Sequence, residues 1–389
     1  MSLGPLNKIH MLVLNNMTHD ARVHKEAKTL ALTGYEVTVA ALWQAGLAEQ
    51  ESQAGYRVLR LRLRSRRWRG RLLAPLAKYL EYGFLVWRLA GREPAQVYHA
   101  HDANTLPAGW LASRRAGAHL VYDAHELETG RSFNSRLPGI YQRVWAWPER
   151  AFIRQADAVL TVSESVADEL VRLYAIPRPT VVMNCPDWQA PRQSTRLRDV
   201  LSLPAHLKVA IYVGGVAAGR GLEAFLEAIQ RLPDVAGVVL GDGPLLPALQ
   251  AGVEAGQWQR VYLPGKVPLA DVPDYIASAD VGMVLIQDTC LSYRLSLPNK
   301  LFEYIGAGIP VVGSDLPEIA RVIREQGVGQ VVNPEDPQAI ADGMSSLLHR
   351  PEAYTQAKAN AARAATLFNW QQESAKLLAL YRHIEGRSP

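Results

Sequence analysis

The sequence predicts an α/β chain made of two doubly wound domains, and three observations carry that prediction. Its 389 residues exceed what one ordinary core organises and suit two domains of about 150–200 residues each. Short apolar runs alternate with amphipathic helical patterns along most of the chain, which implies right-handed βαβ units and parallel sheets covered on both faces. One stretch, 184–204 (NCPDWQAPRQSTRLRDVLSLP), holds three prolines and no sustained period, and it divides the alternation in two. A first domain is therefore expected over 1–187, a linker over 188–204 and a second domain over 205–368. The tail 369–389 reads as a helix with no strand after it.

Apolar runs predict strands at 9–14, 36–40, 57–63, 96–99, 120–123 and 158–162 in the first half. In the second half they fall at 209–213, 235–240, 261–263, 281–285, 310–312 and 329–331. Apolar residues at helical spacing predict helices at 22–32, 163–173 and 222–232. An apolar fraction of 48% and a charged fraction of 20% are those of a soluble globular protein. The opening MSLGPLNKIHMLVLNN reads as a first buried strand rather than a signal peptide. No uncharged apolar run is long enough to span a bilayer. Cys185 and Cys290 are far apart and lack metal-ligand spacing, which fits a reducing, cytoplasmic setting. The net charge is only +5, but 57–71 carries eight arginines and no acid.

In the second half, residues 296–314 (SLPNKLFEYIGAGIPVVGS) predict a short helix entered at Pro298, whose missing N–H costs nothing in a first turn. Gly306 or Gly308 can end it before a buried strand. A helix N-terminus after a loop presents unpaired N–H groups and the positive end of the dipole, which suits a diphosphate. Asn299, Lys300 and Leu301 form that first turn. Lys300 runs against the dipole preference, and a bound anion would explain it. Glu303 is placed to accept hydrogen bonds from ribose hydroxyls. An ordinary amphipathic helix with a solvated Lys and Glu has the same pattern. Residues 212–223 (YVGGVAAGRGLE) run strand, glycine loop, helix, with Gly214 and Gly215 at the turn and Arg220 aimed at the same place. The G-x-G-x-x-G spacing is absent. Residues 240–244 (LGDGP) make another glycine turn, where Gly241 and Asp242 either shape the turn or touch a ligand.

In the first half, 15–26 (NNMTHDARVHKE) leads from a strand into a helix that Asp20 can cap, with Arg22 close behind. HAHD (99–102) and DAHE (123–126) each follow a buried strand, at the carboxyl edge where open parallel sheets bind ligands. The H-x-H-D spacing points two imidazoles the same way, but no third cluster completes a metal site, so no metal is expected. A polar acceptor site is expected instead, from Asp20, Arg22, His101, Asp102, His125 and Glu126, with His125 the main candidate.

These segments in order resemble the family 4-type (group 1) glycosyltransferases of the GT-B fold. The resemblance rests on PNKLFEYIGAGIPVV, on GGVAAGRGLE followed by VVLGDGP, and on ASADVGMVL and ADAVLTVSESVADEL. It covers nearly the whole chain, from LNNMTHDARVHKEAKTLALTGYEVTV to the last helix. It implies two Rossmann-like domains facing a central cleft, with the acceptor on the first and the nucleotide sugar on the second. The last helix would then pack back on the first domain. His125, Arg220 and Lys300 would carry the chemistry. Gly214, Gly215, Arg220, Gly241, Asp242, Pro298, Asn299, Lys300, Leu301 and Glu303 would bind the donor. Three positions depart from the family pattern. Leu295 replaces a second glutamate, Gly215 a usual arginine, and Thr18–Arg22 a glycine pair.

The resemblance implies a retaining, nucleotide-sugar-dependent hexosyltransferase that uses UDP- or another nucleotide-linked sugar and makes cell-surface polysaccharide or glycoconjugate. No Asp-x-Asp pair occurs, so Arg220, Lys300 and the loop 297–300 stand in for a metal, and no cofactor beyond the donor substrate is expected. Two alternatives share the fold. A nucleotide-sugar 2-epimerase needs more acid and base groups than His125 and Glu126; a silent sugar-nucleotide binder would account for Leu295 and Gly215. The acceptor is a saccharide or a lipid-linked one. The basic run 57–71, followed by LLAPLAKYLEYGFLVWRLA, suits peripheral contact with anionic lipid at the inner face of the cell membrane. The same arginines also read as a solvated face. Nucleic acid is not an expected partner, because no reader motif is present.

Overall fold

The structure is a computed structural model, and it describes residues 7–68, 74–127, 130, 147–190 and 192–386. The chain forms two compact units. One comprises Met1–Asn184 with Glu373–Pro389, and the other Cys185–Gln372.

In the first unit the strands are β1 (Lys8–Leu12), β2 (Glu36–Leu42), β3 (Gln50–Gln53), β4 (Tyr56–Leu61), β5 (Val97–His101), β6 (His119–Ala124), β7 (Ala158–Thr161) and β8 (Thr180–Val181). They lie in the order β3-β4-β2-β1-β5-β6-β7-β8. All pairs are parallel except β3 with β4. The order reverses between β1 and β5, so the carboxyl ends of these two strands flank the point where such sheets bind ligands. Helix α1 (Ala21–Leu32) starts at Asp20, whose carboxylate accepts from the Val23 N–H. Helices α2 (Ala74–Arg92) and α3 (Leu106–Ala116) cover one face of the sheet. Their core includes Leu12, Ala40, Tyr82, Val86 and Tyr98, each large side chain contributing about 1.5–3 kcal/mol by its burial. The Tyr82 hydroxyl also donates toward the carbonyls of Val13 and Ala40, tying α2 to the strand ends. Helix α4 (Glu164–Tyr174) is capped by Ser163.

The second unit holds β9 (Lys208–Val213), β10 (Val235–Leu240), β11 (Val261–Gly265), β12 (Val281–Val284), β13 (Val311–Ser314) and β14 (Gly329–Val332). Their order is β11-β10-β9-β12-β13-β14, all parallel. This is the doubly wound 3-2-1-4-5-6 arrangement, with its reversal between β9 and β12. β10, VAGVVL, is buried at every position, as a central strand covered on both faces must be. Helix α6 (Leu222–Gln230) buries Leu222, Phe225, Leu226 and Ile229, a single stripe at helical spacing.

Differences from the sequence-based expectation are local. β3 (QESQ) is a polar edge strand with no apolar alternation to announce it, and β8 is only two residues long. The stretch 188–204 lies within the second unit and contains helix α5 (Arg196–Leu201). There the Leu197 N–H donates to Ser278 Oγ, and Arg198 pairs with Asp280. Helix α8 (Trp370–Glu385) begins in the second unit, with the Trp370 N–H on the Pro186 carbonyl. From Glu373 onward it belongs to the first unit, where Glu373 accepts from the Met183 N–H and the Tyr381 hydroxyl meets His99 Nδ1 at 2.9 Å.

Candidate functional site

In the second unit the loops after β9 and β10 close on each other at the topological switch. Gly214 and Gly241 both have positive φ, and a Cβ on Gly241 would lie 1.9 Å from the Gly214 carbonyl oxygen. Only glycine allows that approach. Gly215 is exposed and a side chain there would meet nothing within 4 Å, so the arginine of the family pattern is missing by choice of residue and not for lack of room. Asp242 is exposed and bonds the turn itself, through its carboxylate to the Gly243 N–H and its carbonyl to the Val216 N–H. It shapes the loop.

Helix α7 (Asn299–Ala307) starts after Pro298 and ends at Gly308 in the left-handed conformation. Tyr304 anchors it by accepting from the Val213 N–H at the end of β9. The first turn is thereby fixed beside the Gly214 loop. Leu301 is fully buried and its N–H is taken by the Pro298 carbonyl, so its part in the site is structural. Asn299 is exposed and Glu303 half-buried on the same helix. The Lys300 side chain turns inward. Its ammonium sits 3.4 Å from the centre of the Tyr212 ring, and a Cβ on Gly214 would lie 3.4 Å from it. Burial and then Arg220 depress its pKa well below the ordinary lysine value, with Glu303 opposing them. Arg220 itself lies over the Tyr293 ring at 4.5 Å. Lys300 in the first turn of α7 and Arg220 thus each rest on an aromatic face, an arrangement that could hold an anion. Leu295 caps a short helix, Leu291–Arg294, two positions before Leu297 of the loop that enters α7.

In the first unit, β5 and β6 bring a histidine and carboxylate network together. The motifs lie partly inside the strands rather than after them: His99 and His101 belong to β5 and Asp123 to β6. Arg22 is buried. It forks onto Asp123, Nε at 2.7 Å from Oδ2 and Nη2 at 2.8 Å from Oδ1, and donates to the Val182 carbonyl. His101 is likewise buried, with Nδ1 3.3 Å from Asp123 Oδ2. His125 Nε2 lies 2.9 Å from the same oxygen, and its Nδ1 faces Asp102 Oδ2 at 3.6 Å. Burial opposes charge on His125, but Asp102 and Asp123 outweigh it and push its pKa up to about 10. Burial also opposes ionisation of Asp123, yet Arg22 and then His125 hold its carboxyl well below the usual range. Glu126 is exposed next door, and Asp20 is half-buried at the start of α1.

Sequence reasoning missed Glu26. It is fully buried on α1, one turn after Arg22, and completes spatially what the H-x-H spacing left open. Ligand atoms of Glu26, His99, His101 and Asp123 all lie within 4.8 Å of one another. The Arg22 guanidinium already contacts both carboxylates, with Nε 3.0 Å from Glu26 Oε1, and supplies the positive charge that a metal would bring. The guanidinium's hydrogen bonds go to Asp123 and Val182, and neither Glu26 oxygen has one. Burial, with the Asp123 charge next, pushes the Glu26 carboxyl up to about 8. The amphipathic spacing of Arg22 and Glu26 was the one available signal.

The basic run divides in the structure. Arg57 pairs with Glu93, Arg60 with Glu51 and Arg62 with Glu49, all within the fold. Residues 69–73 lie outside the described residues. On α2, Leu76, Leu80, Phe84 and Trp87 form an exposed apolar stripe, with Leu80 66% and Phe84 53% exposed.

Two largely parallel switch-point sheets, one with a glycine loop and a buried lysine and the other with a polar histidine edge, are the architecture of a sugar-nucleotide transferase. Residues 19–187 match the glycosyl transferase 4-like domain and residues 207–350 match glycosyl transferases group 1, and the chain belongs to this glycosyltransferase family. It is 27% identical over 314 residues to a D-inositol 3-phosphate glycosyltransferase of Xylanimonas cellulosilytica, covering 75% of this chain and 73% of that one. It is also 27% identical over 329 residues to the alpha-D-kanosaminyltransferase of Streptomyces kanamyceticus, covering 78% and 82%. Among solved structures, sucrose-phosphate synthase from Thermosynechococcus elongatus superposes with a TM-score of 0.80 at 18% identity, over 97% of this chain and 99% of that chain. Anabaena HepE in complex with UDP-glucose gives 0.75 at 17% identity, over 97% and 99%. The chain is a nucleotide-sugar glycosyltransferase with the two Rossmann-like domains of the GT-B fold.

Proposed function

We propose that the protein transfers a hexosyl group from a nucleoside diphosphate sugar, a UDP-sugar first among them, to a hydroxyl of a saccharide or lipid-linked acceptor. In this reading transfer is retaining and needs no metal, and it serves cell-surface polysaccharide or glycoconjugate synthesis. The observation that carries the reading is Lys300, buried on the Tyr212 ring beside Gly214 and the first turn of α7. A buried ammonium is costly unless an anion meets it. With Arg220 it would take up the charge that grows on the departing diphosphate. That role suits a chain without an Asp-x-Asp pair. Glu303, half-buried one turn on, serves the ribose. HepE, solved with UDP-glucose, is a neighbour in fold, and its bound donor supports the choice of nucleotide.

In the first unit His125, Asp102 and Glu126 serve the acceptor side, with Asp20 at the same strand edge. The exposed stripe of α2, beside exposed Arg64 and Arg66, supports contact with an anionic membrane that presents a lipid-linked acceptor.

A thermal-shift screen with UDP-, GDP-, ADP- and dTDP-sugars tests the donor site without knowledge of the acceptor. A ligand at a hundredfold excess over its Kd adds about 2.7 kcal/mol, or about 5–10 °C for a unit of this size. Stabilisation by one nucleotide class, without added metal and lost in Glu303→Ala, is expected. No shift with any of the four would overturn the reading. Product analysis then separates transfer from 2-epimerisation or simple binding.

A further inference from the structure

The strand that enters the glycine loop of the second unit carries a tyrosine that reaches both the loop and α7. Tyr212 is the penultimate residue of β9 and only 1% exposed. A buried phenol needs a partner for its hydroxyl, and Tyr212 donates to the Gly215 carbonyl at 2.7 Å. The Val216 N–H of the same peptide donates to the Asp242 carbonyl at 2.9 Å, so that peptide is held at both ends. The ring face receives the Lys300 ammonium, 3.4 Å from its centre. Lys300 comes from a different element, the first turn of α7, on a flexible four-carbon stem. The charges it feels are Arg220, which repels it, and Glu303, which attracts it. Arg220 has its own support, because positive-φ glycines at 219 and 221 flank it and its guanidinium lies over the Tyr293 ring at 4.5 Å. Among the described residues no hydrogen bond or ion pair holds the Lys300 ammonium, so the Tyr212 face is what keeps it beside Gly214.

We propose that Tyr212 is a positioning residue of the donor site: its face holds the Lys300 ammonium, and its hydroxyl the Gly215 carbonyl, in the arrangement that a nucleoside diphosphate meets. A ring covers one side of an ammonium and leaves its remaining N–H groups for phosphate oxygens. Without that face, repulsion from Arg220 and the pull of water would draw Lys300 outward. Binding would then have to order a long side chain again, and that entropy counts against affinity. Buried as it is, Tyr212 acts through Lys300 and not on the donor itself. Leucine at this position would fill the space without an electron-rich face. Phenylalanine would keep the face and lose only the bond to Gly215. That the anion is a nucleoside diphosphate rests on the transferase reading above; the contact between Tyr212 and Lys300 does not.

The test is a double-mutant cycle read by calorimetry with UDP, GDP, ADP and dTDP. Tyr212→Leu is expected to weaken the nucleotide that wild type binds best by about 3–30-fold. In the Lys300→Met background the same change is expected to cost less than about twofold, because no ammonium is left to place. Tyr212→Phe, which keeps the ring, is expected to bind within about threefold of wild type. A tyrosine with a purely structural role would cost the same factor in both backgrounds, and that result overturns the inference. Wild-type affinity in Tyr212→Leu overturns it too, as does a Tyr212→Phe as weak as Tyr212→Leu. If Tyr212→Leu does not fold, pentafluorophenylalanine at 212 replaces it in the cycle with the same outcomes, since it keeps the ring shape without the electron-rich face. Wild type that binds none of the four nucleotides overturns the donor reading and the role of Tyr212 together. Binding with equal losses in the two backgrounds overturns the role of Tyr212 alone.

Discussion

Lys300→Met is expected to make the protein more stable and worse at binding its donor. Lys300 is 9% exposed, and among the described residues its ammonium has no hydrogen bond or ion pair beyond the Tyr212 face. Burying an ion costs several kcal/mol after relaxation. A desolvated cation–π contact returns about 2 kcal/mol of that, and Glu303 offsets a further part. The net cost left in the free protein is about 1–3 kcal/mol. Methionine fills nearly the same volume without a charge, so melting should rise by roughly 2–10 °C. The pH dependence follows from the depressed pKa. Lys300 binds its proton more weakly folded than unfolded, so its contribution is fully favourable above about pH 10.4 and is lost as pH falls through its folded value. The advantage of the variant should therefore shrink as pH approaches 10.4. A nucleoside diphosphate reverses the balance by pairing with the ammonium and drawing a proton onto it. Calorimetry with UDP over a series of rising pH, in buffers of different ionisation enthalpy, should show proton uptake that grows in wild type as pH approaches the lysine range and is absent in Lys300→Met. Removing one charge-assisted bond of about 1.5–3 kcal/mol should weaken binding about 10–100-fold. A variant less stable than wild type, or one that binds UDP equally well, refutes the argument.

Two further outcomes are expected. Glu26 has its carboxyl raised to about 8 in the folded state, so the native protein holds a proton there that the unfolded chain releases near pH 4.5. Stability should then fall from pH 5 to 8 with a slope of up to about 1.4 kcal/mol per pH unit. Glu26→Gln should flatten that slope in urea titrations at several pH values, and an unchanged slope would remove Glu26 as its source. Sedimentation with vesicles should show binding to anionic but not to neutral lipid, strongly reduced in the double variant Leu80→Glu with Phe84→Glu. Equal binding to both vesicle types, or no loss in the variant, would leave the α2 stripe without a membrane role.

The relation between sequence and structure differs from one element to the next. β10 and α6 were legible because their side chains fall at the strand and helix periods and bury accordingly. The glycines at 214, 219, 221 and 241 marked loops because only glycine fits their positive φ and close approach. β3 was hidden because an exposed edge strand needs no apolar alternation. Helix α5 was hidden in the 188–204 stretch because six residues are too few to show a period. The burial of Arg22 and His101 was not legible, because position along the chain does not tell a strand-edge side chain from one folded under it.

By itself the sequence determined two doubly wound domains, the glycine loops, and the helix that starts at Pro298 with the residue types of its first turn. These depend on local periodicity and backbone sterics, which a few neighbouring residues express. Only the tertiary structure decided where Lys300 and Arg22 spend their charge. One lies on the Tyr212 ring, 88 positions earlier in the chain, and the other on Asp123, 101 positions later. Protonation states depend on burial and on charges brought together from distant segments, and no local pattern records either. That is why Glu26, unremarkable in the sequence, lies buried beside Arg22 and Asp123.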